Sequence, residues 1–236
     1  MLPVAIPPWI CQGSRVARAR SIRGRRLLFV LLVVFCAAVI PAIFVPTLMC
    51  RQPDPTLDDL GVVPPFHLVD AQGQAFTESA LRDHPTIVDF IFTRCDSICP
   101  IVSGTMERAQ ERMGDSRGLP VKFLSITVDP AFDTPAVLAA YAKQFHADPD
   151  RWKFVTGVPA DVLTLVGTTF MNSTRVEGTS PAGIPSISHT AYYVLVDGNL
   201  HIRGVYDSGD PNRLEELLHH ARFLARTTKP SYKFGN

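Results

Sequence analysis

Several features that mark other protein classes are missing from this sequence. The first fifty residues contain no aspartate or glutamate, and the chain has no Cys-x-x-Cys motif, no internal repeat and no low-complexity block. Residues 51–236 carry 17 basic and 22 acidic residues, a net charge of −5, because six of the 23 basic residues precede them. This charge gives no reason to expect nucleic-acid binding. An apolar content of 46% in 236 residues instead indicates one globular domain plus an additional element.

The additional element is an uncharged stretch of 24 residues at positions 27–50. A helix of about 20 apolar residues spans the ~30 Å hydrocarbon core of a bilayer, so this stretch predicts a transmembrane anchor. Pro41 and Pro46 would kink or end a helix, which places its most regular part near residues 27–45. Residues 1–26 contain six arginines, and the positive-inside bias predicts that they stay in the cytoplasm while the rest of the chain is exported.

A cleaved signal peptide would also begin with basic residues followed by an apolar run. The run here is longer than the roughly 7 to 15 residues usual for such a peptide, and no Ala-x-Ala site follows it, which favours a retained anchor. A twin-arginine signal at Arg25-Arg26 and a lipoprotein cysteine at Cys50 are weaker alternatives, because neither has the surrounding pattern. Early prolines make residues 1–26 a poor amphipathic presequence. This favours a bacterial inner membrane, with the domain in the periplasm, over a mitochondrial inner membrane facing the intermembrane space.

The remaining chain divides into a polar, proline-containing linker (51–61), a folded domain (62–225) and a loose tail (226–236). In the domain, β-rich and helical runs alternate, which predicts an α/β sandwich with a largely parallel core. Asp197-Gly198 predicts a tight turn between the last two strands. Strands are expected at 66–69, 86–92, 121–128, 152–156, 191–196 and 201–206, and helices at 98–113, 135–145, 160–168 and 211–224.

Only two of the five cysteines, Cys95 and Cys99, lie in the part predicted to be exported. They belong to FTRCDSICPIV (92–102), where a buried strand ends and a helix begins near residue 98. Residues four apart on a helix share a face, with Cα atoms ~6 Å apart, so the pair can form a disulfide or bind one metal ion. The positive end of the helix dipole favours thiolates, so both sulfurs are expected to be more reactive than a free cysteine.

Three roles are open to this pair: a structural disulfide, a redox couple, or two ligands of a metal site. A structural bridge would close a very short loop and would constrain the unfolded chain little. Thioredoxin-like dithiols place two residues between the cysteines, whereas this pair has three. His189 directly precedes a predicted strand, where an imidazole can reach a neighbouring loop. Two thiolates and an imidazole suit copper far better than magnesium or calcium, which favours a metal site.

The other six histidines are less well placed for the cysteines. His84 precedes the strand that leads to Cys95 and therefore lies at the opposite end of that strand. His201 lies beside the hairpin turn, at the far end from His189. The remaining four belong to the first strand or to helices: His67, His146, His219 and His220.

Three segments carry a resemblance to a known family. DFIFTRCDSICPIV (89–102) resembles the metal-binding motif of the Sco/SenC family of copper proteins, which assemble the dinuclear copper centre of cytochrome c oxidase. SITVDPAFDTP (125–135) is similar to that family's strand-end segment with its Val-Asp-Pro and Asp-Thr-Pro. SHTAYYVLVDGNL (188–200) is similar to the stretch with its histidine ligand. The likeness covers residues 27–225, and three motifs in order are more specific than two cysteines alone.

The resemblance implies a thioredoxin-like sandwich with a central mixed sheet, preceded by one N-terminal transmembrane helix. It implies that Cys95, Cys99 and His189 bind copper, as Cu(I), Cu(II) or both. The implied function is that of a membrane-anchored copper metallochaperone, of a reductant for the acceptor's cysteines, or both. Its implied partners are the oxidase subunit that holds the copper centre, other copper chaperones and thiol reductants. The sequence departs from the commonest family form at Arg94 and at Asp96-Ser97.

Two aspartates and a proline near the motifs also carry expectations. Asp129 ends a predicted strand at the edge where the cysteines lie, and the resemblance suggests that it supports the copper ligands or contacts the partner. Asp133 precedes Thr134-Pro135, a pattern typical of a helix N-cap. Pro100 fits the first turn of a helix.

A function of another class stays open. Thioredoxin-like exported domains also serve as thiol-disulfide oxidoreductases or as peroxiredoxin-like enzymes, in which Cys95 and Cys99 would act without metal. Such an enzyme would need neither copper nor His189. The sequence does not separate copper delivery from disulfide reduction.

Overall fold

The computed structural model describes residues 28–40, 54–114, 120–170, 176–179, 185–187 and 191–228. The chain forms two compact units, Met1–Pro53 and Asp54–Asn236. In the first unit, residues 28–40 form helix α1, whose side chains are mostly exposed. No helix within the described ranges is both long and apolar enough to cross a bilayer. The rest of the anchor predicted at 27–50 lies outside those ranges, so that anchor stays a prediction.

The second unit is built on a mixed β-sheet. Its strands lie in the order β2-β1-β5-β4-β3-β8-β9. The three central strands β3, β4 and β5 run parallel, whereas their neighbours β1 and β8 run antiparallel to them. A separate pair of short strands, β6 (Val176–Thr179) and β7 (Pro185–Ile187), is antiparallel. The main strands are β1 (His67–Asp70), β2 (Ala75–Thr77), β3 (Thr86–Ile91), β4 (Lys122–Thr127), β5 (Trp152–Thr156), β8 (Tyr192–Val196) and β9 (Ile202–Asp207).

Helices cover both faces of this sheet. They are α2 (Ile98–Arg112), α3 (Pro135–Gln144), α4 (Pro159–Leu165) and α5 (Pro211–Thr227). Apolar side chains of α2, α3 and α5 pack in one core cluster, and those of α4 pack in a second. Because strand side chains alternate between faces, Ile87 and Ile91 of β3 enter the first cluster and Val88 enters the second. The mixed sheet with helices on both faces confirms the predicted α/β sandwich and its parallel central strands; the transmembrane helix predicted to precede it stays a prediction.

Three helices begin at proline, whose fixed φ and missing N–H suit the first helical position. Thr134 caps α3 by accepting a hydrogen bond from Val137 N, and Asp210 caps α5 by accepting one from Asn212 N. Helix α4 is shorter than predicted, because its regular part ends at Leu165 and a π-helical turn follows over Val166–Phe170. The hairpin turn predicted at Asp197-Gly198 connects β8 and β9, as expected.

The N-terminal end of the domain runs along the last strand. Leu60 N donates to Ile202 O over 2.9 Å, and Ile202 N donates to Gly61 O over 2.8 Å. Val63 N adds a bond of 2.9 Å to Leu200 O. At the opposite end of the sheet, β2 contributes only three residues. The described part of the predicted linker 51–61 thus contacts the domain.

Candidate metal centre

The candidate site lies where three parallel strands end. Because β3, β4 and β5 run in the same direction, the loops that follow them leave the sheet at one edge. The loop after β3 carries Cys95, and the loop after β4 carries Asp129 and Asp133. Thr93 and Asp133, which are 40 positions apart in the sequence, therefore become neighbours.

Cys95 and Cys99 are brought together by a turn and the start of a helix. Cys95 N donates to Phe92 O over 3.2 Å and closes a turn after β3. Helix α2 then begins at Ile98, and Cys99 N donates to Cys95 Sγ over 3.3 Å. Both thiols are free, and both residues are buried, with 8% and 4% of their surface exposed. The pair is thus a preformed dithiol beneath the surface, with Pro100 in the first turn of α2 as predicted.

Ser97 directs a further polar group at the first sulfur. It occupies the N-cap position of α2, but its side chain makes no capping hydrogen bond to the helix. Its Oγ lies 3.7 Å from Cys95 Sγ instead. The start of α2 therefore presents both a backbone N–H and a hydroxyl to Cys95.

The two thiols differ in acidity. Burial alone would raise the pKa of Cys95, but hydrogen bonds from the backbone and thiol of Cys99 and from Ser97 bring that pKa below its ordinary value. Burial raises the pKa of Cys99, and the hydrogen bond from its thiol to Cys95 raises it further. The prediction that both sulfurs are activated is therefore wrong for Cys99, because desolvation of its thiolate outweighs the helix dipole. Cys95 is therefore the more acidic thiol of the pair, and Cys99 is its hydrogen-bond donor.

Arg94, the residue before Cys95, contacts the neighbouring loop in two ways. Its Nε and Nη2 both donate to Asp129 Oδ2, over 3.0 and 2.5 Å. Its guanidinium carbon lies 4.5 Å from the ring centroid of Phe132, a cation–π contact. Asp129 is buried, whereas Phe132 is 45% exposed. Asp129 thus lies beside the cysteine loop, as predicted, but its carboxylate is paired with Arg94.

Asp133 has a different role from the one predicted. The N-cap of α3 is Thr134, and the Asp133 carboxylate turns inward and is fully buried. It accepts hydrogen bonds from Thr93 N, Thr93 Oγ1 and Thr127 Oγ1. The N-cap prediction was wrong because Ser, Thr and Asp all favour that position, and here the threonine one residue later fills it.

A second buried carboxyl group lies in the strand that leads to the site. Asp89 is fully buried in β3, on the same face as Ile87 and Ile91. Neither of its carboxylate oxygens has a hydrogen-bond partner within 3.5 Å among the described residues. Burial raises the pKa of Asp89 to about 7, an effect that Ser125 on the neighbouring strand only partly offsets. After burial and the bond to Cys95, the charge of Asp89 also contributes to the raised pKa of Cys99.

His189, the predicted third ligand, lies outside the described residues. Among the described residues, no group of three or more His, Cys, Asp or Glu side chains is arranged to hold a metal ion. Three of the other histidines have partners elsewhere. His146 contacts Glu107, His201 contacts Asp59, and His220 contacts the hydroxyl of Tyr206.

The contacts of Arg94 and Asp133 were not predicted from the sequence. Both depend on two loops that meet only when β3 and β4 pair. The available signal was the position of these charged residues directly after predicted neighbouring strands, since such strands end at a common edge. Asp89 gave a stronger signal, because a charged residue inside the buried run TIVDFI is costly to bury.

Comparison with known proteins places the chain in one family. The sequence profile of the SCO1/SenC family matches residues 55–222. A SCO2-like protein from Rickettsia prowazekii is 30% identical over 142 residues, which cover 60% of this chain and 67% of that protein.

Two solved structures are similar in fold. One is BsSco, a member of the Sco family of cytochrome c oxidase assembly proteins in which a disulfide switch was identified. It has a TM-score of 0.62 at 23% identity and covers 72% of this chain and 97% of its own. The other is ScoI from Bradyrhizobium japonicum with copper bound, with a TM-score of 0.53 at 26% identity, covering 70% of this chain and all of its own. Copper is thus bound by members of the family. With a family profile that spans most of its length and a mixed sheet that places both motif cysteines together, the chain belongs to the SCO1/SenC family.

Proposed function

We propose that this protein is a membrane-anchored copper chaperone that serves assembly of the dinuclear copper centre of cytochrome c oxidase. Cys95, Cys99 and His189 are its proposed copper ligands. The observation that carries the proposal is the preformed dithiol, in which Cys99 N lies 3.3 Å from Cys95 Sγ at the start of α2. Two adjacent sulfur donors suit a soft ion such as Cu(I), and the copper-bound relative supports copper as the cargo.

The unequal thiols are suited to a transferable ion. Copper binds thiolates, so the lowered pKa of Cys95 makes its sulfur the easier of the two to deprotonate, whereas Cys99 must lose its proton as the ion arrives. Arg94 and Asp129 neutralise each other beside the site and add no net charge to it. An acceptor with its own thiolates can then replace the ligands of this chain one at a time.

Disulfide reduction is a second candidate, which the difference in acidity specifically favours. The Cys95 thiolate would attack one sulfur of an acceptor disulfide, and the other sulfur would leave as a thiolate and take up a proton. Cys99 would then lose its proton and attack Cys95 Sγ, which releases the second acceptor thiolate. Two electrons pass to the acceptor, and the Cys95–Cys99 disulfide forms. An external dithiol reductant must then reduce this disulfide to restore the two thiols.

Copper binding is tested on the full-length chain in detergent, with Cys11, Cys36 and Cys50 changed to serine. The reduced protein is expected to hold one Cu(I) against a chromophoric chelator. Cys95→Ser, Cys99→Ser and His189→Ala should each weaken binding by about tenfold or more, since each removes a ligand. His84→Ala, which removes a histidine predicted to lie at the other end of β3, is the matched control. Wild-type affinity in all three ligand variants would overturn the copper proposal.

The redox candidate is separated from copper delivery by the same variants. Reduction of a synthetic disulfide peptide should survive His189→Ala and be lost in Cys95→Ser. If the wild-type protein reduces the peptide but binds no copper, the metal-free oxidoreductase becomes the better account. Rapid turnover of peroxide without metal would instead favour a peroxiredoxin-like enzyme.

A further inference from the structure

We propose that Asp133 is the positioning residue that holds Cys95 in place for copper binding; this inference rests on the proposed function. The Asp133 carboxylate is fully buried, although its neighbours Phe132 and Thr134 are exposed. It does not cap α3, because Thr134 does. A buried carboxylate with no part in starting its helix needs another explanation, and its hydrogen bonds supply one.

The bonds of Asp133 converge on the start of the cysteine loop. Oδ1 accepts the hydroxyl of Thr93, and Oδ2 accepts the hydroxyl of Thr127, each at 2.5 Å. The backbone N–H of Thr93 points between the two oxygens, at 3.4 and 3.2 Å. One side chain therefore fixes both the backbone and the side chain of the residue two positions before Cys95.

These contacts form part of a closed ring. Asp129 N donates to Thr127 Oγ1, and the side chain of Asp129 accepts from Arg94, which follows Thr93 in the chain. The ring therefore joins the loop after β3 to the loop after β4 at two points. One is the buried Asp133, and the other is the Arg94–Asp129 pair nearer the surface. Together, these two contacts fix the direction of the backbone that leads into Cys95.

The position of Cys95 matters because its sulfur must meet the start of α2. Cys99 N reaches Cys95 Sγ over 3.3 Å only if the turn closed by Cys95 N and Phe92 O keeps its shape. Thr93 lies inside that turn. Release of Thr93 would let Cys95 Sγ move away from the helix amide and from Cys99, and would lose both the hydrogen bond from Cys99 N and the spacing of the two sulfurs.

The chemistry requires a carboxylate at this position. Two hydroxyl groups donate to separate oxygens, and an asparagine can offer only one oxygen while its NH₂ faces the other donor. The charge is stabilised by three donors from neutral groups, in keeping with the rule that buried charges are hydrogen-bonded. Asp133→Asn keeps the size of the side chain but leaves one of the two hydroxyl groups without an oxygen to donate to.

The test compares four variants of the full-length chain in detergent, with Cys11, Cys36 and Cys50 changed to serine. Asp133→Asn and Thr93→Val each break a hydroxyl-to-carboxylate bond of Asp133, Thr93→Ser keeps the hydroxyl, and Thr134→Ala removes the neighbouring cap of α3. Cu(I) affinity is measured by chelator competition, and thermal unfolding is followed in parallel. The metal-free readout is the rate at which iodoacetamide alkylates Cys95.

Asp133→Asn and Thr93→Val should each weaken Cu(I) binding by about tenfold, equivalent to about 1.4 kcal/mol, and slow alkylation of Cys95 several-fold at neutral pH. Thr93→Ser should restore both properties, whereas Thr134→Ala should lower thermal stability and leave both near wild type. The inference is overturned if Asp133→Asn and Thr93→Val match Thr134→Ala in both readouts. If the wild-type protein binds no copper, the proposed function fails, and the alkylation rates alone decide the role of Asp133.

Discussion

At the scale of single residues, the site combines buried acidic groups with different partners. Asp133 has three donors, and Asp129 is paired with Arg94. Asp89 has no hydrogen-bond partner within 3.5 Å among the described residues, although it is fully buried. Stability alone would favour an apolar residue at that position, so Asp89 should weaken the fold in a way that depends on pH.

Asp89→Asn should stabilise the protein more at pH 8 than at pH 5. The pKa of Asp89 is raised from 3.8 to about 7 by folding. Below pH ~4 the carboxyl group is protonated in both states and has no effect; between pH ~4 and ~7 the unfolded chain ionises first, and stability falls as pH rises. Above about pH 7 the loss is complete, at an order of 2 to 4 kcal/mol. The asparagine variant should lack this fall.

Urea unfolding of the reduced, copper-free protein at the two pH values measures the effect. The stability gained by Asp89→Asn should be about 2 kcal/mol larger at pH 8 than at pH 5. Equal gains at both pH values would show that Asp89 does not hold its proton in the folded state.

At the scale of elements, β9 and α5 are joined by a close contact that depends on one glycine. Tyr206 is buried, its hydroxyl lies 2.6 Å from His220 Nδ1, and Arg213 stacks 5.3 Å from its ring centroid. Gly204, two residues earlier on β9, lies beneath that ring. A Cβ at Gly204 would meet the hydroxyl and ring carbons of Tyr206 at less than contact distance.

Gly204→Ala should therefore destabilise the domain by about 1 to 3 kcal/mol, because the held ring of Tyr206 cannot retreat. Gly167→Ala is the matched control, since a Cβ there meets nothing within 4 Å. Urea unfolding should show a lower midpoint for the first variant and an unchanged or higher midpoint for the second. Equal midpoints would mean that β9 and α5 separate more easily than the packing of Tyr206 indicates.

The longer elements could be predicted from sequence because their patterns are local. The apolar run of β3 and the proline starts of α3 and α5 are visible in a few residues. Strand β2 was not separately predicted, because three residues cannot establish an alternating pattern. The site was only half predictable. The Cys95–Cys99 pair follows from spacing, whereas the inward turn of Asp133 and the unequal acidity of the thiols depend on burial that only the paired loops create.

At the scale of the whole molecule, the charge distribution predicts where the protein resides. All six basic residues of the first fifty precede the uncharged stretch, and the remainder has a net charge of −5. We propose a single-pass protein of a bacterial inner membrane, with its domain in the periplasm.

An alkaline phosphatase fused after Asn236 should be active in a bacterial host, and the fusion should stay with the membranes after alkaline carbonate extraction. Deletion of residues 27–50 should make the fusion soluble and inactive, because the phosphatase folds only after export. A full-length fusion that is active but released into the periplasm would instead indicate a cleaved signal peptide.

The hydrogen bonds between residues 60–63 and the start of β9 have a further consequence for this molecule in a crowded compartment. An exposed sheet edge is a template on which another chain can add a strand and begin aggregation. Here the chain's own N-terminal segment occupies the beginning of one outer edge, and the other outer strand, β2, is three residues long. These contacts shorten the row of free backbone groups at one end of the sheet, and the strand at the other end is short. Edge-to-edge association is thereby disfavoured at the start of β9 and at β2.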